Sequence, residues 1–273
     1  MAEVRARDGV CLHAEAYGEG LPLVFSCGWC TTHENFRPQV EPLVAAGARV
    51  ILWDYRGHGL SEVPIEDAAY DMPTLVEDLA AVLDWAAPGE PAVVGGLSFG
   101  GLLSLHFALA KPERVRGLLL IDSGPGFKNP EAASRWMAQV ERTAGRLEEL
   151  GMEVLLRGRA VDTSVGRRPE LPATQAAARA IAAQDARGLA RFGRRVAGPA
   201  PCVIDDLPLI GAPALVVVGA EDEAYLRAAE VMAAKLPSAT RAVIPGAGHI
   251  VNIEESGAFN ATVTDFLVKL RSR

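Results

Sequence analysis

Three side chains far apart in the chain, Ser98, Asp222 and His249, are of the types that together break acyl bonds. A serine hydroxyl is a weak nucleophile at neutral pH. It attacks a carbonyl when a base takes its proton, and an imidazole acts as that base when a carboxylate fixes its tautomer and stabilises its charged form. The surroundings of Ser98 suit the task. It lies in Gly96-Leu97-Ser98-Phe99-Gly100-Gly101, between the apolar runs 92–94 and 102–110. The string predicts a sharp strand-to-helix turn in which glycines remove Cβ atoms that would clash, lifting the hydroxyl clear of the sheet. The helix that follows would aim its unpaired N–H groups and positive dipole end at the atom under attack. A glycine-rich turn before a packed helix can arise without chemistry, so the elements around the motif must decide.

Short apolar runs alternate with helical patterns along most of the chain, which predicts a mostly parallel sheet covered on both faces. Asp8-Gly9 joins two runs as an opening antiparallel hairpin. Further strands are expected at 22–26, 49–53, 92–97, 116–121, 214–218 and 240–244, eight in all. Pro73 suits a first helical turn, and Leu75, Leu79, Val82 and Leu83 follow on one face. The helix after Ser98 is apolar almost all round and must end near Pro112; the last helix aligns Phe259, Val263, Phe266, Leu267 and Leu270. Functional side chains of a parallel sheet gather just past the carboxyl ends of its strands. Asp222 and His249 both fall there, after the strands at 214–218 and 240–244.

The stretch 127–200 breaks the alternation, with helix-forming sequence and no convincing strand. It is expected to be an inserted helical cap, leaving 1–126 and 201–273 as the core. Its charge differs as well. Between 129 and 200 stand twelve arginines, no lysine and eight carboxylates, a net +4 within a chain of net −7. Arginine without lysine suits bidentate recognition of an anionic substrate, and it equally suits solvated helix faces rich in ion pairs.

Composition narrows the classes. Hydrophobic residues at 49% and a length of 273 residues support one large core, and the acidic balance argues against nucleic acid as a partner. No run approaches the ~20 apolar residues of a membrane span, and the first residues lack a signal-like apolar stretch, so a cytoplasmic protein is expected. Four cysteines are too few and too irregular for a disulfide framework. Cys27-Gly28-Trp29-Cys30 has the spacing of a redox pair but precedes a loop rather than a helix, which leaves redox or metal chemistry the lesser reading. His58 is expected to hold backbone, His13 and His106 to be packed or surface residues, and His33 to sit in a solvated loop.

Taken in order, these motifs resemble the α/β-hydrolase superfamily over nearly the whole chain: Gly96 to Gly101, Gly219 to Asp222, Gly248-His249, and Asp54-Tyr55-Arg56-Gly57-His58-Gly59-Leu60-Ser61, which looks like that family's D-x-R-G-x-G-x-S loop. The resemblance implies an α/β-hydrolase fold with a mostly parallel eight-stranded sheet, and a serine hydrolase that cleaves a small-molecule carboxylic ester or lactone through an acyl-enzyme. Ser98 would be the nucleophile, His249 the base and Asp222 its carboxylate. Asp122 competes for that last role, because some relatives take the acid from the earlier strand. The backbone N–H groups of Trp29 and Phe99 would form the oxyanion hole, although Cys27 stands where relatives usually carry histidine. Trp136, Met137 and Phe192 are candidates to line the pocket under the cap. No metal or organic cofactor is implied. Serine at the elbow argues against epoxide and haloalkane chemistry, and Leu97 argues mildly against carbon–carbon bond hydrolysis. Perhydrolysis, and a ligand receptor with little turnover, remain as alternatives.

Overall fold

The computed structural model describes residues 2–158 and 160–272. Its strands are β1 (Ala2–Arg5), β2 (Cys11–Tyr17), β3 (Leu21–Ser26), β4 (Ala48–Trp53), β5 (Ala92–Leu97), β6 (Val115–Ile121), β7 (Ala214–Gly219) and β8 (Ala239–Ile244). They form one sheet in the order β1-β2-β4-β3-β5-β6-β7-β8. The β1–β2 and β2–β4 pairings are antiparallel and the others parallel. This is the expected α/β-hydrolase architecture.

The helices explain why the strands are apolar on both faces. Alternate residues point to opposite sides, so Val24, Ile51, Val94, Leu118 and Val216 pack on one face, and Phe25, Leu52, Val93, Leu119 and Val217 on the other. The first face is covered through α2 (Met72–Ala86) and α3 (Phe99–Ala110), whose Leu75, Leu79, Leu103 and Phe107 are fully buried. The second is covered by α1 (Arg37–Ala45) and the C-terminal helix Ser256–Arg271, through Leu43, Phe259, Val263 and Leu267.

Between β6 and β7 the described residues form helices and loops without a strand: α4 (Pro130–Leu150), α5 (Glu153–Leu156), α6 (Ala160–Ser164), α7 (Pro172–Ala182), α8 (Ala186–Phe192) and a π turn, Gly193–Ala197. Asn129 caps α4 by accepting the N–H groups of Glu131 and Ala132. Asp185 caps α8 by accepting the Gly188 N–H, which separates it from α7. This segment has a small core of its own, which includes Ala144, Leu147, Ile181 and Leu189 and receives Cys30 from the loop after β3. Past β7 come α9 (Glu223–Lys235), α10 (Val251–Glu254) and α11, the C-terminal helix.

The loop after β4 is held by buried charge. The Asp54 carboxylate accepts the backbone N–H groups of His33 and Leu60 at 2.8 and 3.0 Å and bonds His33 Nδ1 at 2.7 Å. His33 is therefore buried, contrary to the expected solvated loop, because Asp54 and Glu34 hold its ring on both sides. Arg56, also fully buried, forks onto Asp78 of α2 with two 2.7 Å bonds and reaches Asp8 at 2.6 Å. Removing one partner of such a pair strands the other charge. Arg56→Leu, which leaves Asp78 unpaired in the interior, is expected to cost about 3–5 kcal/mol of stability. Urea unfolding checks this; a loss below about 1 kcal/mol, the range of a surface pair, would show that the pair does not hold the loop.

Candidate active site

Ser98 joins β5 to α3 with φ 54° and ψ −113°, a conformation that side-chain-bearing residues rarely adopt. The glycines make room for it. A Cβ on Gly96 would lie 2.5 Å from the Gly100 carbonyl carbon, and one on Gly100 would lie 2.1 Å from the Ser26 carbonyl oxygen. The Ser98 N–H donates to Ile121 O at 2.8 Å, and its carbonyl accepts from Ser123 Oγ at 2.6 Å. Thus β5, β6 and the loop after β3 all fix the elbow.

That loop passes close by. A Cβ on Gly28 would stand 3.5 Å from Ser98 Cβ, and the Gly28 N–H is taken up by Thr31 Oγ1 at 2.7 Å. The next backbone N–H, that of Trp29, has no hydrogen-bond acceptor among the described residues, and neither has that of Phe99 at the first turn of α3. The Tyr55 hydroxyl bonds Cys27 O at 2.5 Å and His58 Nε2 accepts the Cys30 N–H at 3.2 Å, which ties this loop to the one after β4.

Asp222 and His249 meet at the ends of β7 and β8. His249 Nδ1 lies 2.7 Å from Asp222 Oδ2, with both side chains more than nine-tenths buried. Gly219 permits the approach, since its Cβ would lie 2.2 Å from Gly248 O. The Gly248 N–H is anchored on buried Glu254 at 2.7 Å. Arg167, from the loop before α7, bonds both Glu254 and Glu221 and so braces the loops that carry His249 and Asp222.

Two groups beside these residues bear on the chemistry. Asp122, at φ 41°, is fully buried and accepts the Gly219 N–H at 2.8 Å. Burial first, and then the neighbouring Asp222 charge, push its carboxyl well above the usual carboxylate range. Tyr225 was not singled out in the sequence. It sits three residues after Asp222 on α9, its ring 4.9 Å from that of His249 and its hydroxyl beside Ser98. An aromatic on the first turn after the acid was the only signal available.

The candidate pocket residues separate. Trp136 meets Trp29 edge-on at 6.3 Å and Phe127 at 5.9 Å, its indole N–H bonded to Ala197 O. Phe192 is fully buried against Tyr55, His58 and Phe99. Met137, 46% exposed, instead lines a groove of about 630 Å³ on the outside of the helical segment, with Arg187, Arg191, Arg194 and Arg195 and none of Ser98, Asp222 or His249. Several arginines of the segment are spent on carboxylates: Arg194 on Glu141 and Glu148, Arg191 on Asp67, Arg168 on Glu255. Cys27 and Cys30 are buried free thiols, and burial raises the pKa of both.

Burial pulls the His58 imidazole down to about 4, which keeps it neutral and able to accept the Cys30 N–H. Because the folded value lies below the unfolded one, the unfolded chain binds more protons between them, and stability falls as pH drops from about 6.5 to 4. Unfolding free energies measured across that window should show a shallower fall for His58→Gln than for the wild type. Parallel curves would show that His58 does not carry the effect.

Known proteins share this arrangement of elements. Residues 11–262 match the model of the Alpha/beta hydrolase family. The chain is similar to a thermophilic esterase from Thermogutta terrifontis, with a TM-score of 0.87 over 98% of each chain at 26% identity. It is also similar to the enol-lactonase from Burkholderia xenovorans LB400, with a TM-score of 0.82 over 98% of this chain and 100% of that one at 27% identity. A non-heme chloroperoxidase from Streptomyces lividans is 32% identical over 127 residues, 46% of this chain and 45% of its own. By sequence match and by fold, the chain belongs to the α/β hydrolase family.

Proposed function

We propose that the protein is a serine hydrolase that cleaves a carboxylic ester or lactone through an acyl-enzyme, with residues 127–200 as its cap. The observation that carries this reading is the buried 2.7 Å contact between His249 Nδ1 and Asp222 Oδ2, at the same sheet edge as the strained Ser98 elbow. Ser98 Oγ would attack the carbonyl while His249 Nε2 takes its proton. Asp222 accepts Nδ1–H, which fixes the tautomer and stabilises the imidazolium. The oxyanion would be held by the unspent N–H groups of Phe99 and Trp29, where preorganised donors stabilise the charge as it develops. His249 then protonates the leaving oxygen, and a water activated by the same imidazole releases the acid. Asp122, which holds the Gly219 N–H, would stay outside the proton transfers.

The esterase and enol-lactonase likenesses support ester or lactone chemistry. The carboxylate-paired arginines and the aromatic surface of Trp29, Trp136 and Phe127 favour a neutral, apolar substrate. The likeness to the chloroperoxidase favours a second reading, in which hydrogen peroxide takes the place of water on the acyl-enzyme and releases a peracid.

Short p-nitrophenyl esters test the assignment. Ser98→Ala and His249→Ala are expected to lower kcat by about 10⁴-fold or more with the fold intact, and Asp222→Asn by about 10⁴-fold. Asp122→Asn keeps the shape of the side chain and an oxygen for the Gly219 N–H, and should stay within about tenfold of the wild type, ~1.4 kcal/mol in the barrier. The reverse order for the two aspartates would move the acid to Asp122. Binding without turnover would favour a receptor.

Substrate charge gives a separate test. An ester with a remote carboxylate should show no advantage in kcat/KM over its neutral amide isostere, at low or high salt. A salt-sensitive preference for the carboxylate would place an unpaired arginine in the pocket.

A further inference from the structure

A second cluster of chemically capable side chains lies away from Ser98, at the start of the chain. His13 and Glu15 project from the same face of β2, two residues apart, and His33 and Glu34 open the short 3₁₀ turn that follows the loop after β3. His13 Nε2 is 3.2 Å from Glu15 Oε1, and that oxygen is 3.9 Å from His33 Nε2. Glu34 Oε1 is 3.3 Å from the same His33 nitrogen. One donor atom each from His13, Glu15 and His33 therefore falls within a sphere of ligand size, all three within 4.8 Å of one another. In a tetrahedral zinc site, with bonds of ~2.0–2.1 Å, neighbouring ligand atoms stand ~3.3 Å apart.

The surroundings hold these donors from behind. Asp54 binds His33 Nδ1 at 2.7 Å, which leaves Nε2 facing the cluster, in the carboxylate–histidine arrangement typical of metal ligands. Glu15 Oε2 is taken by the Tyr17 hydroxyl at 2.6 Å and by Arg37 at 2.7 Å, which leaves Oε1 inward. Arg37 also bonds Glu34, through Oε1 at 2.6 Å and Oε2 at 3.2 Å. Glu15 and Glu34 share the one Arg37 guanidinium while Asp54 pairs with His33, so the cluster holds fewer permanent cations than carboxylates, and a divalent ion bound in place of the imidazole protons would supply the difference. Two nitrogens with carboxylate oxygen suit zinc better than magnesium or calcium, which prefer all-oxygen shells.

We propose that His13, Glu15 and His33 form a zinc site of three protein ligands, its fourth position open to water. The ion would tie β2 to the turn that ends the Trp29 loop. The inference is independent of the reaction assigned to Ser98.

The test uses the full chain stripped with a chelator and titrated with zinc chloride. One zinc per chain is expected, bound in the micromolar range or tighter, with a rise in Tm. Magnesium and calcium should produce neither. Cobalt(II) should bind with the same stoichiometry and give the intense visible absorption of a tetrahedral site. His13→Gln and Glu15→Gln should each weaken zinc at least tenfold, and Asp54→Asn, acting through His33, by about 10–100-fold. Should a variant not fold, the cobalt spectrum and the metal selectivity of the wild type still decide. His249→Ala should bind zinc unchanged. The proposal is overturned if no stoichiometric zinc binds at micromolar concentrations, if cobalt shows an octahedral spectrum, or if binding survives in His13→Gln and Glu15→Gln while failing in His249→Ala.

Discussion

The backbone turn at Ser98 is the constraint on which the rest of the molecule depends. Holding a serine at φ 54° costs on the order of 1–3 kcal/mol, and such a geometry persists only where its surroundings over-determine it. Here they do so from three sides. The β6 carbonyl of Ile121 takes the Ser98 N–H, Ser123 bonds its carbonyl, and Gly96 and Gly100 let Ser26 at the end of β3 press directly on the turn. These contacts also set the distance from the elbow to the Trp29 loop. The parallel register that places Leu97 opposite Ile121 carries the alignment on through β7 to β8. A rigid sheet thereby converts local strain at one residue into a common edge for Ser98, Asp222 and His249.

The helical segment is bound to that edge by directional bonds as well as by packing. Leu189 O receives the Trp29 indole N–H at 3.0 Å, Gln184 bridges Cys30 O and the Gly59 N–H at 2.9 Å each, and Arg167 braces the loops that carry Asp222 and His249. A Cβ on Gly193 would lie 2.4 Å from the Trp29 ring, so the π turn that begins there lies flat against the loop of the proposed oxyanion hole. The anchoring is denser than apolar contact alone would make it. Movement of the segment would have to break hydrogen bonds made to the same loops that bear the candidate chemistry.

The legible parts of the sequence are those in which local chemistry and global fold impose the same demand. A buried parallel strand must be a short apolar run, and the elbow must have glycines at 96 and 100, so both could be read in order along the chain. Residues whose role is decided by what they meet across the fold could not. His33 reads as a loop histidine until Asp54, twenty-one positions later in the chain, folds against it. Met137 and Trp136 are neighbours in sequence, yet the turn of α4 sends one to an outer groove and the other to Trp29. The charge of the segment was legible as a sum but not as a use: Arg191 and Arg167 meet Asp67 and Glu254, carboxylates far outside the segment, while Arg194 meets Glu141 and Glu148 within it.

The two aspartates show how burial alone can assign different tasks to identical side chains. Asp122 ends β6 and Asp222 follows β7, and adjacent parallel strands bring their carboxyl groups together, where both cannot hold charge at little cost. Asp122 is fully enclosed and accepts the Gly219 N–H, and its second oxygen has no hydrogen-bond partner among the described residues. Asp222 lies at the first turn of α9, whose dipole favours negative charge, and meets an imidazole that becomes cationic as the proposed reaction proceeds. Asp222 is thus the carboxylate placed to orient the proposed base, whereas Asp122 serves the turn, holding the Gly219 N–H so that the end of β7 stays beside β6.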